Sequence, residues 1–195
     1  MFKLLPVLLA IPLLSACTMR PLHYNMSGSV VDSPISLNKN LPNIVVTDFE
    51  YKPHRNITQY ATSVIGCPFC DPDGGRQQLV FAQPINQIIQ AETESALTEI
   101  MLRDKDSTCK LSAQIQFVGM VQSFSAMTHR VDATYTLKSG DATYFIKRVV
   151  GEYTPGTFEL QRDVKMWARP VRDSMRQLVA DRAFNQVIDE RCRSI

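Results

Sequence analysis

Thiols are the side chains in this chain of 195 residues whose spacing could do chemistry. Cys67-Pro68-Phe69-Cys70 has the spacing of a thioredoxin-like dithiol. An active dithiol needs its first cysteine at a helix N-terminus, where the thiol pKa is depressed. Directly after Cys70 the chain reads Asp71-Pro72-Asp73-Gly74-Gly75, which is turn sequence,. Its acidic residues would also raise a thiol pKa, so the pair reads as a structural disulfide, with a thiol-disulfide role for Cys67 and Cys70 as the alternative. A zinc site would want a second close pair, and Cys109 and Cys192 are isolated. Asp71-x-Asp73-x-Gly75 begins like a calcium loop, but Ala82 stands where an acidic ligand should close it,. His23, His54 and His129 are scattered, and no serine sits in a Gly-x-Ser-x-Gly elbow,. The sequence therefore offers no catalytic residue, no metal ligand set and no cofactor site, and Trp167 and the methionines read as core packing.

Cys17 has different neighbours. Lys3 precedes an apolar run from Leu4 to Leu14, and Leu14-Ser15-Ala16-Cys17 closes it with small residues. The run is too short for a bilayer core, which takes about 20 apolar residues in a helix. Pro6 and Pro12 further disfavour a long one,. This layout resembles the bacterial lipoprotein signal. The resemblance implies that residues 1–16 are removed, that the Cys17 thiol is acylated, and that Cys17 begins the mature chain. With about 0.8 kcal/mol gained per buried methylene, several acyl chains hold a protein on a membrane stably. Thr18 replaces the aspartate that favours inner-membrane retention in many Gram-negative lipoproteins, which directs the expectation to the outer membrane, facing the periplasm.

With Cys17 committed to lipid, Cys67, Cys70, Cys109 and Cys192 remain, and an even number in an exported chain suggests disulfides. Three pairings are open. Cys67 with Cys70 and Cys109 with Cys192 is favoured, because the first pair is local and the second would tie a strand start to the C-terminal helix. Composition describes an ordinary globular chain, with 45% hydrophobic and 21% charged residues,. The formal net charge of +2 comes from mixed signs and gives no case for a nucleic-acid partner,. Arginines 162, 169, 172, 176 and 182 are interleaved with Asp163, Asp173 and Asp181, which reads as a solvated helix face.

Residues 18–42 are rich in Ser, Asn and Pro without helical period, as in a tether,. A β-branched run at residues 43–49 suits a buried strand. Tyr60, Val64 and Ile65 suit a weak strand, and Leu79-Val80-Phe81 suits its resumption after the turn. Pro84 sits well in a first helical turn, and Ile85, Ile88, Ile89, Ala96, Leu97 and Ile100 share one side of a helix ending near Arg103. Leu111, Ala113, Ile115 and Phe117 alternate with polar residues, as in a half-buried strand. The phase slips beyond Val118, and Gly119 suggests a bulge. Val131, Ala133, Tyr135 and Leu137 alternate again, and Ser139-Gly140-Asp141 turns into a strand over residues 142–153. A helical stripe then runs from Val164 to Cys192. Either Pro170 kinks it or a new helix starts there.

The expected fold is α+β, in the order β-α-β-β-β-α: an antiparallel sheet of about four strands with two main helices on one face. It would form a single periplasmic domain over residues 43–195, after a lipidated N-terminus and tether over residues 17–42. Lipobox, tether, helix, strand, hairpin and C-terminal helix together resemble the small enterobacterial YajG-like lipoproteins and auxiliary lipoproteins of envelope ABC transporters. That resemblance implies a non-enzymatic binding or scaffold subunit with an envelope protein partner. An accessory lipoprotein of a secretion apparatus is the other alternative.

Overall fold

The computed structural model describes residues 35, 42, 44–53, 64–67, 77–100, 108–122, 127–155 and 167–192. Residues 1–16, Cys17, Cys70, His23 and His54 lie outside them. The elements are β1 (Val45–Tyr51), β2 (Val64–Cys67), β3 (Gln77–Val80), α1 (Ile85–Thr98), β4 (Cys109–Gln122), β5 (Met127–Ser139), β6 (Ala142–Tyr153), α2 (Ala168–Val179) and α3 (Arg182–Arg191). The chain is α+β.

Four strands make one sheet in the order β1-β4-β5-β6, and β2 pairs with β3 in a separate antiparallel ribbon. The sheet is mixed, not antiparallel throughout as the sequence pattern suggested, because β1 runs parallel to β4. The reason is the connection. A helix between two neighbouring strands carries the chain back to the end where the first began, so the second runs the same way. From β4 onward the pattern is an antiparallel meander. Its second hairpin turns through Gly140 and Asp141, with Gly140 at φ +58°, a conformation that glycine adopts without steric cost,.

Two local features explain the phase slip in β4. Ile115 pairs with Ala133 and Phe117 with Asp132, so the irregularity sits at Gln116 rather than at Gly119. Phe117 thereby turns to the opposite side from Ile115, and Val118 takes up the buried position. Gly119 serves a different purpose. A Cβ there would lie 2.7 Å from the Phe117 ring, so the missing side chain leaves room for it.

The C-terminal stripe is two helices. α2 starts at Ala168 with Pro170 inside its first turn, where the missing N–H has no helical partner to lose,. It stops at Ala180, and Asp181 caps α3 by accepting hydrogen bonds from the Ala183 and Phe184 amides at 2.7 and 3.1 Å. Capping by an aspartate satisfies amides that the first helical turn leaves unpaired. Phe184 and Ile188, which drift off the stripe of a single helix, are the two buried residues of α3.

One core joins the inward residues of the strands to the apolar stripes of the helices. Leu111, Ile115, Val131, Tyr135 and Leu137 meet Ile85, Ile88, Ile89 and Leu97 of α1, and Val171, Met175 and Leu178 of α2. Ile35 also belongs to it, at 5% exposure, although it falls in the stretch read as a tether. α2 approaches β6 very closely at Gly151. A Cβ there would sit 1.9 Å from the Pro170 carbonyl oxygen and 2.8 Å from the Ser174 amide nitrogen. Overpacking a core costs about 1–3 kcal/mol, and here backbone must move. Gly151→Ala should therefore lower the urea unfolding free energy by about 3 kcal/mol, and an unchanged midpoint would show that α2 does not rest on β6 as described.

Candidate functional site

The strands present their second face outward, and its polar groups converge where β1 bulges. Val46 pairs with Leu111 and Phe49 with Ala113, so Thr47 and Asp48 together stand against Ser112. Asp48 has φ +46°, the left-handed region that aspartate tolerates better than most residues,. The bulge borders an open cleft of about 270 Å³ lined by Thr47, Asp48, Glu50, Lys110, Gln114 and Lys138, among others. Lys110 and Lys138 are directly cross-strand partners. Like charges opposed in this way disfavour each other, and on the neighbouring strand the Glu50 carboxylate is paired with Lys52 rather than with either of them. Such a cleft suits a polar ligand or a partner's side chains carrying both signs of charge.

Farther along the same face, Arg148 donates from Nε and Nη2 to the two Asp132 carboxylate oxygens at 2.8 and 2.6 Å. This bidentate bond, more than the charge alone, holds the Arg148 pKa above its ordinary value. Arg130 Nε donates to Glu152 at 2.7 Å, and Gln116 Nε2 to the Thr134 hydroxyl at 3.0 Å. Of these, the Arg130 pair is exposed, whereas Asp132 is buried beneath the Arg148 guanidinium. They make the face hydrophilic.

Beneath the sheet lies a second polar group, which is buried. Arg172 on α2 is fully enclosed, so it does not belong to the solvated arginine face that the sequence suggested. Its Nη2 donates to Glu99, and its Nη1 lies 3.7 Å from Glu92 Oε2, both on the α1 side. The Ile35 amide donates to the second Glu99 oxygen at 3.3 Å. Arg172 Nε and Nη1 have no hydrogen-bond partner. The signal for this cluster was present but faint: Glu92 interrupts the apolar stripe of α1 between Ile89 and Ala96, and Arg172 interrupts that of α2 between Val171 and Met175. Close by, the Ser174 hydroxyl donates to the Tyr135 phenol oxygen at 3.0 Å. Burial pushes the Tyr135 pKa up to about 12, against the opposing hydrogen bonds from Ser174 and Thr93.

Cys109 and Cys192 form a disulfide between the first residue of β4 and the end of α3, with both residues buried. Cys67 ends β2, and its partner in the Cys-Pro-Phe-Cys stretch lies outside the described residues. His129 is half-buried, with its ring 5.7 Å from Trp167 and 6.3 Å from Tyr153. Trp167 and Met175 are core residues. Among the described residues no three His, Cys, Asp or Glu side chains group to hold a metal ion, and no helix is long and apolar enough to cross a membrane.

No protein-family model matches the chain, and no curated protein matches it. Its fold is similar to that of protein XCC0632 from Xanthomonas campestris, described under the family DUF330. The TM-score is 0.56 at 10% identity, over 88% of this chain and 99% of that one. At this identity the likeness is one of fold.

The buried groups set two expected outcomes. Removing one member of a buried ion pair costs about 3–5 kcal/mol, because the remaining charge is left uncompensated. Arg172→Met should lose that much in urea unfolding, and adding Glu92→Gln should restore part of it. No recovery in the double variant would show that the loss is one of packing alone. For Tyr135, a folded pKa near 12 against 10 in the unfolded chain means that stability is complete below pH 10 and falls as pH rises toward 12,. The fall attributable to this group is about 2–3 kcal/mol, and Tyr135→Phe should remove it when unfolding is compared on either side of that interval.

Proposed function

We propose that this chain is an acylated envelope lipoprotein whose domain works without catalysis, as a binding or scaffold subunit of an envelope assembly or transport system. The observation that carries the reading is the Leu14-Ser15-Ala16-Cys17 stretch closing a short apolar segment. The architecture agrees with it. Both main helices lie on the buried side of the sheet, which among the described residues leaves the other face, with its cleft at Asp48 and Lys138, open to a partner. In this reading the protein resides at the outer membrane and faces the periplasm, in the manner of YajG-like and transporter-auxiliary lipoproteins.

Ile35, seated in the core, sets the leash. It lies 35 − 17 = 18 residues after Cys17, and a fully extended chain spans at most about 3.3–3.6 Å per residue. The lipid and the domain therefore stay within about 65 Å of each other.

Mass spectrometry of the mature protein from detergent-solubilised envelopes tests the anchor: Cys17 should be the first residue and should carry acyl chains. An unmodified Cys17, or cleavage elsewhere, would refute it. Affinity purification of the tagged lipoprotein should recover a stable protein or lipid partner, and Lys138→Glu should weaken that recovery. Repeated isolation of the lipoprotein alone would count against a scaffold role.

A further inference from the structure

β6 ends the four-stranded sheet, so one of its edges has no neighbouring strand among those described. That edge is treated differently at its two ends. Near the C-terminal end of the strand, Gln177 Nε2 donates to the Val150 carbonyl at 2.8 Å, and the Glu152 amide donates to Asp173 Oδ2 at 3.0 Å. Gln177 also donates to Asp173 at 2.9 Å, which fixes both side chains. Two residues one turn apart on α2 thus seal this part of the edge.

Backbone groups alternate in direction along a strand, so those of Ile146 and Arg148 face the same way as those of Val150 and Glu152. No described residue seals them. The Ile146 side chain is 64% exposed, more than the other large exposed hydrophobic residues described. Natural sheets commonly guard such an edge with charged side chains, lysine above all. The two cations beside Ile146 are both occupied within the chain. Lys147 is bonded to Asp181 at 2.5 Å, and Arg148 is bonded to Asp132. Their charges are offset locally, which removes the repulsion that would keep a second copy of the same strand away.

We propose that the stretch of β6 around Ile146 is a homodimer seam, in which two copies pair antiparallel about Ile146 and join their sheets into one. At this register Ile146 meets the partner's Ile146, apolar against apolar; toward the start of β6 the seam is bounded by Tyr144, which the register shift against β5 leaves out of step and whose ring centroid lies 5.3 Å from the Arg191 guanidinium. The register also ends naturally. Extending it would require the Val150 carbonyl, which Gln177 already holds. A two-fold axis through Ile146 and perpendicular to the sheet puts both helical layers on one side and leaves both polar clefts open on the other. A seam this short falls at the small end of interface sizes, below about 1,200 Å². The dimer should therefore dissociate on dilution and be favoured where copies are crowded in one plane.

Sedimentation velocity of the full chain in non-ionic detergent tests the seam. The expected result is a monomer that becomes a dimer as concentration rises, with Ile146→Lys weakening association about tenfold or more and leaving the thermal unfolding midpoint unchanged. Under mild oxidation Ile146→Cys should give a disulfide-linked dimer, because paired residues on the two-fold axis are within bridging distance. Thr143→Cys, exposed but off the axis, should not. A monomer at every concentration, a dimer indifferent to Ile146→Lys, equal cross-linking at Thr143, or association only with a second protein would each overturn the proposal. Failure of the lipid anchor would leave this dimer in solution unaffected, so the two ideas fail separately.

Discussion

A full positive charge enclosed between two helices is the constraint around which this domain is arranged. Removing a guanidinium from water costs several kcal/mol unless charge and hydrogen bonds compensate. The compensation for Arg172 comes from α1 and the residue just past its end, far away in sequence, through Glu92 and Glu99. α1 and α2 must therefore meet at one rotation and one height for either to be stable. A hydrophobic seam alone tolerates sliding; an ion pair without water does not. Glu99 extends the same requirement to Ile35, whose amide hydrogen bond it accepts, and so fixes the point at which the N-terminal chain enters the domain. The cluster sets geometry more than it adds stability, since two of the Arg172 nitrogens have no hydrogen-bond acceptor.

With the helices fixed to each other, the sheet beneath them becomes two-sided. Gly151 lets the first turn of α2 touch the sheet, and the disulfide from Cys109 to Cys192 ties the last helix to the first residue of the central strand. Closing a loop between residues 83 apart removes much of the disorder of the unfolded chain; in the entropic model this is worth about 4–5 kcal/mol. Nothing comparable covers the outward face among the described residues. Its cleft opposes two lysines on adjacent strands, and its last strand is sealed over only part of its edge.

Several elements were legible from periodicity because their environment repeats with the backbone. The apolar side of α1 and the alternation of β4 and β5 each follow a single period, and the turn at Gly140 uses a residue suited to positive φ. Where two periods overlapped, the pattern misled. A bulge at Gln116 shifts the phase of β4 by one residue, and the glycine that comes after it accommodates a phenylalanine ring rather than causing the shift. The C-terminal stripe looked continuous because α2 and α3 are separated only by Ala180 and Asp181, too few residues to interrupt a helical pattern visibly.

The amino-acid sequence by itself determined the α+β class and the meander from β4 to β6. These depend on neighbours along the chain, which sequence displays directly. The parallel pairing of β1 with β4, the burial of Arg172, the seat of Ile35, the bulge at Asp48 and the half-sealed edge of β6 were decided only by tertiary structure. Each depends on a partner many residues away, and an arginine that faces water is spelled the same as one that faces two glutamates.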